Sequence, residues 1–162
     1  MAAAARLLQA ARWARWSLMA QPAEAQAVLT RAHALREAIY RLMLARIQGQ
    51  AADPADLERL NGELPAALAR ARLEPTGQGY TLGWAPDPQA LDRMLWPIAY
   101  SAADLLTNPD LLERVGQCAD DRGCGWLFLD LTKNRSRRWC AMRGCGNRAK
   151  AARHYQRRQG EG

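Results

Sequence analysis

Acidic side chains are missing from Thr132 to Arg158, where ten Lys or Arg stand. A like-charge run of this kind repels itself unless a polyanion neutralises it, although a solvated tail or a surface for an acidic protein has the same composition. Histidine is nearly absent, with only His33 and His154. Neither sits in a Ser-His-Asp or Cys-His context, so no catalytic residue and no enzymatic activity are expected. No window approaches the apolar length of a membrane span. A secretory signal is also lacking, which points to a cytoplasmic chain without a disulfide framework. The glycines at 77 and 79 are followed by neither a lysine-bearing phosphate loop nor a dinucleotide fingerprint. Cysteine is absent from the first 117 residues, and all four copies fall at Cys118, Cys124, Cys140 and Cys145.

Those four form two close pairs, with five residues inside the first, four inside the second and fifteen between them. Such spacing suits one tetrahedral zinc ion, each pair making a knuckle and the spacer a hairpin that brings the knuckles together. The second pair is at the long edge of the usual two-to-four-residue spacing, and the first is one residue longer. Four thiolates close the shell and leave no position for a substrate water, so the metal is structural. The competing readings are two disulfides or four unrelated buried thiols.

Between the pairs, Trp126 to Leu131 is short, apolar and aromatic, as a strand should be, with Trp126 and Phe128 as structural aromatics. Thr132 to Ser136 is a polar turn, and Arg137 to Met142 is placed as the returning strand. Asn147 to Gln159 has no breaker and reads as a helix, its N-terminus beside Cys145. The fold class expected is mainly α with a small β-hairpin: a helical N-terminal domain over 1–112 and a treble-clef-like four-cysteine finger over 113–162.

The strings Cys124-Gly-Trp-Leu-Phe-Leu-Asp130, Asn134-Arg-Ser-Arg-Arg-Trp-Cys140 and Cys145-Gly-Asn-Arg148 resemble the CGNR zinc finger, over about the last 45 residues. In that family the finger usually follows a helical domain called ABATE. The stretches Leu35 to Tyr40, Asp56 to Asn61 and Leu95 to Leu106 resemble that domain, while its usual apolar opening strand is not seen here. The resemblance implies a stress-linked bacterial transcription regulator, with one structural zinc ion.

Charge partitions along the chain. Residues 1–112 hold 11 basic and 11 acidic side chains, and residues 113–162 hold 12 basic and 5 acidic, so the formal excess of +7 lies on the finger. On a helical wheel Lys150, Arg153 and Arg157 share a narrow arc flanked by His154, and Arg135, Arg137 and Arg138 can extend it. These six are the candidate nucleic-acid contacts, with double-stranded DNA the favoured partner. Arg148 falls on the side of Ala152 and Tyr155, toward the finger. Asp130 or backbone carbonyls are its expected partners, with a DNA contact as the alternative.

In the first domain, Met1 to Met19 with Trp13 and Trp16 reads as an opening helix. Ala23 to Gln48 is a second helix with Val28, Leu35, Ile39, Leu42, Leu44 and Ile47 on its buried side, stopped at Gly49. Asp53-Pro54 starts a third, running to about Leu73 with Leu57, Leu60, Leu64 and Leu68 as its stripe and Pro65 as a kink or divide. Glu74 to Trp84 is a small β-hairpin. A helix capped at Asp87-Pro88 runs to Leu106 with an interruption at Pro97, and Leu111 to Val115 is a short helical piece. An unknown small-molecule effector of this domain is one partner to consider. Against a DNA-binding regulator stand two other classes: a zinc-stabilised protein-interaction or RNA-binding module, and a thiol redox sensor.

Overall fold

The computed structural model describes residues 21–120 and 122–160, the last three as backbone only. The expected opening helix with Trp13 and Trp16 lies outside the described residues. The chain forms two compact units, one of residues 21–42 with Ala52–Asp104 and one of Met43–Ala51 with 105–160.

Helix α1 spans Pro22–Ile47, with its residues up to Leu42 in the first unit. Gly49 ends it at φ 66°. The Gln50 amide donates to Ala45 O and the Gly49 amide to Arg46 O, the paired bonds that a left-handed residue allows after a last turn. Helix α2 is Pro54–Arg70, and the Asp53 carboxylate accepts from the Ala55 amide ahead of it. Pro65 lies inside an uninterrupted helix, with no break at that point.

The expected leucine stripe of α2 is corrected. Leu57 and Leu68 are exposed, whereas Asp56, Leu60, Glu63 and Ala67 are buried. Carboxylates can occupy this face because arginines on α1 meet them. Arg31 grips Glu63 through Nε at 3.0 Å and Nη2 at 2.6 Å, and Arg41 grips Asp56 at 2.8 and 2.5 Å. The Arg41 fork holds the Asp56 carboxyl below the ordinary carboxylate range. On α1 itself the buried set is Leu35, Ala38, Leu42 and Met43, while Ile47 is exposed.

Strands β1 (Ala71–Thr76) and β2 (Gly79–Trp84) form the hairpin, antiparallel with Leu73 opposite Leu82. Gly79, at φ 145°, supplies the backbone that closes its two-residue turn. Asp87 Oδ1 accepts from the Gln89 and Ala90 amides at 3.2 and 3.1 Å. These bonds close the turn before Ala90, and a 3₁₀ turn, Leu91–Met94, follows with no side-chain cap of its own, rather than the continuous helix expected from Asp87. Helix α3 follows at Leu95–Thr107, burying Leu95, Trp96, Ala99 and Ala102. Pro97 interrupts nothing, because it falls in the first turn of α3, where a missing amide costs little.

The second unit contains α4 (Pro109–Leu112), strands β3 (Val115–Gln117) and β4 (Leu127–Leu129), a π turn at Met142–Gly146 and helix α5 (Asn147–Gly160). The described residues are thus mainly helical, with two small two-stranded sheets. The predicted pairing of the finger hairpin is wrong. β4 pairs with β3, Val115 opposite Leu129 and Gln117 opposite Leu127, not with Arg137–Met142. The ladder is extended at both ends, by Cys118 N to Trp126 O and by Asp130 N to Arg114 O, each 2.8 Å. No helix among the described residues is long and apolar enough to cross a membrane.

Candidate metal centre and nucleic-acid interface

The β3–β4 hairpin carries Cys118 and Cys124 in its connecting loop. The segment after β4 returns across that loop, with Ala119 N donating to Arg138 O at 2.8 Å, and so brings Cys140 alongside. The π turn then places Cys145 just before α5. The turn is close: a Cβ on Gly146 would meet Met142 Sδ at 2.7 Å.

All four Sγ atoms lie within 4.8 Å of one another. Cys140 Sγ is 3.7 Å from Cys124 Sγ and 3.6 Å from Cys145 Sγ. A tetrahedron with metal–sulfur bonds of about 2.3 Å has edges of about 3.8 Å, so the arrangement fits zinc. The same separations rule out disulfides, whose sulfurs stand about 2.05 Å apart, and all four thiols are free.

The electrostatics of the cluster also call for a cation. Burial pushes the Cys118 thiol up, but hydrogen bonds from the backbone amides of Cys140 and Asp120 and from neighbouring thiols outweigh it and bring it down to about 7. Cys140 and Cys145 are pushed up, first by burial and, for Cys145, next by Asp120. One thiolate forms readily while Cys140 and Cys145 resist, as expected for like charges packed this closely, and a divalent cation removes that resistance.

Arg148 is placed differently from the expectation. Its partner is Asp120 rather than Asp130: Nε and Nη2 reach Asp120 Oδ2 at 3.2 and 2.5 Å, and Nη2 also lies 3.0 Å from Cys145 Sγ. The Asp120 side chain is 2% exposed. Arg148 beside it holds the Asp120 carboxyl below the usual carboxylate range, with the Cys145 thiol adding to the effect. Through Asp120 the guanidinium therefore ties the first knuckle to the start of α5, and its contact with Cys145 Sγ orients a ligand sulfur. Asp120 is not among the residues that the sequence singles out: it lies inside the first knuckle loop, two residues after Cys118.

Asp130 serves the turn after β4. Its Oδ1 accepts from Thr132 Oγ1 at 2.6 Å and Thr132 N at 2.9 Å, and its Oδ2 from Arg137 N at 2.8 Å. Those donors, Thr132 first, lower its carboxyl.

Arg137, expected at the nucleic-acid face, is committed inside the finger. Its guanidinium donates to the carbonyls of Trp139 and Leu129 at 3.0 and 3.2 Å and to Cys140 O, and it lies 4.6 Å from the centre of the Phe128 ring. Those bonds engage each of its three nitrogens within the finger. They also explain why Arg137–Met142 needs no strand ladder: one side chain gathers its carbonyls. Phe128 in turn crosses Gly116, where a Cβ would come within 2.9 Å of the ring. Trp126 does not pack as a structural aromatic. The residue is 69% exposed, and its carbonyl accepts from the Cys118 amide.

The remaining cations divide. Lys150, Arg153 and Arg157 line one shallow hollow with His154. Arg138 and Arg153 both approach the Trp139 ring, at 5.4 and 5.9 Å, which brings Arg138 to the same side. Arg135, at φ 47°, is instead paired with Glu113 at 2.9 Å. Tyr155 is 67% exposed, so the apolar side of α5 is limited to the half-buried Ala149 and Ala152.

Two families match the chain. The CGNR zinc finger matches residues 114–158, and ABATE, described as "Putative stress-induced transcription regulator", matches residues 1–109. Among curated proteins none matches.

Proposed function

The chain belongs to the ABATE family and carries a CGNR zinc finger, and we propose that it is a cytoplasmic, non-catalytic regulator that binds double-stranded DNA through α5. The observation that carries this reading is the convergence of Lys150, Arg153, His154 and Arg157 on one hollow of a helix whose first turn is fixed to the zinc centre. Cations three or four residues apart on an exposed helix meet successive phosphates, which position a protein on the duplex. Arg138 enlarges the patch from beside Trp139. Arg135 can join it, because an exposed ion pair such as that with Glu113 is worth only about 0–1 kcal/mol and exchanges for a phosphate. Zinc contributes by holding hairpin and helix in one frame.

The test is duplex binding by the full-length zinc-loaded chain over a range of salt. Combined K150A, R153A and R157A changes should weaken binding and flatten the log–log salt slope by about 2–3 units, at about 0.9 per phosphate lost. Zinc content and circular dichroism should not change. A folded triple variant with unchanged affinity and slope overturns the reading. Structured RNA or an acidic polypeptide competing better than duplex would make the finger an interaction module.

A further inference from the structure

We propose that the helical unit holds a binding cleft for a small, flat aromatic anion, such as an aromatic carboxylate, between the end of β2 and the start of α3. A cavity of about 400 Å³ opens there. That volume falls in the range of small-molecule sites, about 300–1,000 Å³. Its walls are two indoles, Trp84 and Trp96, and three pyrrolidine rings, Pro86, Pro88 and Pro97. The half-buried Trp84 indole and the pyrrolidine rings offer apolar faces and lose little rotamer freedom when a ligand lies against them, while the buried Trp96 backs the cleft.

The walls are fixed without a ligand. Trp84 stands edge-on to Tyr100, with ring centres 6.2 Å apart. Trp96 is 4% exposed and carries the Arg70 guanidinium 5.4 Å from its ring centre. The Ala85 amide donates to Arg70 O at 2.7 Å, and the Asp87 cap pins the loop between Pro86 and Pro88. A preorganised cleft keeps more of its contact energy as affinity.

Charge selects the ligand. Two ionised groups line the cleft, Asp87 and Arg93. Asp87 is neutralised by Arg70 at 2.8 Å. Arg93 is half-buried, and it has no ion-pair partner among the described residues. The cleft therefore keeps one uncompensated positive charge against an aromatic wall, on a side chain whose planar fork matches a carboxylate. A neutral ring would use the walls and leave Arg93 unpaired. A cation would meet it with repulsion.

The site stands apart from the DNA reading, and its test measures binding directly, so the two can fail separately. Full-length zinc-loaded protein is titrated calorimetrically with 2-naphthoate and with the neutral isostere 2-naphthamide. The naphthoate should bind about tenfold more tightly, the difference expected of one charge-assisted pair. Arg93→Met should erase that preference while leaving naphthamide binding and the melting temperature unchanged, and Arg93→Lys should restore part of it. Trp84→Leu should weaken both compounds. Absence of naphthoate binding at millimolar concentration, equal binding of the two compounds by the wild type, or a preference that survives Arg93→Met would each overturn the proposal.

Discussion

The helical unit buries Leu35, Ala38, Leu42, Leu60, Ala67, Leu95, Trp96, Ala99 and Ala102. In the unit that contains the finger, Met43 is the one buried aliphatic side chain among the described residues, and the others buried are Cys118, Cys145, Asp120 and Asp130. The first has an interior of the ordinary kind, in which apolar area removed from water contributes about 25 cal/mol per Å². The second has almost none, and directed bonds take its place: four thiolates toward one metal, the Arg148 fork on Asp120, and Arg137 on three carbonyls. Small modules commonly need such a staple because their surface outweighs their core. Each unit should consequently fail by its own route.

The largest expected effect comes from the metal. Replacing Cys118, Cys124, Cys140 or Cys145 by Ser should unfold residues 114–158 while the helical unit survives, since zinc affinity in such modules, about 10–16 kcal/mol, is mostly folding free energy. Hydrogen exchange by mass spectrometry, with metal analysis near one zinc per wild-type chain, checks this. A Ser variant that keeps both zinc and protection of the finger amides would break the comparison. The reciprocal change is Leu35→Ala, at a position 1% exposed. It should destabilise the helical unit by about 2–5 kcal/mol. Zinc stoichiometry should stay the same, and a parallel loss of zinc would show that the two units do not fail independently.

The smallest effect should be at Arg148. Arg148→Ala leaves the four ligands in place but unpairs buried Asp120, and should lower zinc affinity about 10–100-fold in a chelator competition. Arg148→Lys should rescue it poorly, having no planar fork for Asp120 and Cys145 together. The pH dependence has a definite sign. The folded Asp120 carboxyl is lowered, so its contribution is fully present above the ordinary carboxylate range and is lost only as pH falls through the lowered value. Wild type and Arg148→Ala should therefore differ as much at pH 6 as at pH 8. A gap that closes by pH 6 would assign the effect to another group.

What was legible in the sequence was local. The four cysteines, the proline cap at Pro54, the hairpin around Gly77 and Gly79, and the breaker-free α5 all announce themselves within a few residues, whereas the short helix placed at Leu111 to Val115 is found at Pro109–Leu112. The strand partner of β4 did not, because Val115–Gln117 is three residues long with a glycine in the middle, too short for any period. Arg137–Met142 looked extended, but it bends at Trp139 and Cys140 and enters the π turn at Met142, and a guanidinium rather than a ladder holds its carbonyls. A helical wheel gave the direction of Arg148 and not its reach, so Asp130 was named where Asp120 stands. The stripe on α2 was misread because an apolar criterion passes over buried carboxylates, and Asp56 and Glu63 are buried only because Arg41 and Arg31 lie across from them.

The β1–β2 ribbon carries a consequence for self-association. Among the described residues it has two strands, each with an outer edge of backbone groups unpaired within the sheet, and Leu73 and Tyr80 stand 73% and 78% exposed on it. That combination invites a second copy to add a strand. The sequence counters it on β1, where Pro75 removes a donor and Arg72 and Glu74 bring charge to neighbouring positions. β2, reading Gly-Tyr-Thr-Leu-Gly-Trp, has neither proline nor charge, so its edge depends on its shortness and on the two glycines that weaken it as a template.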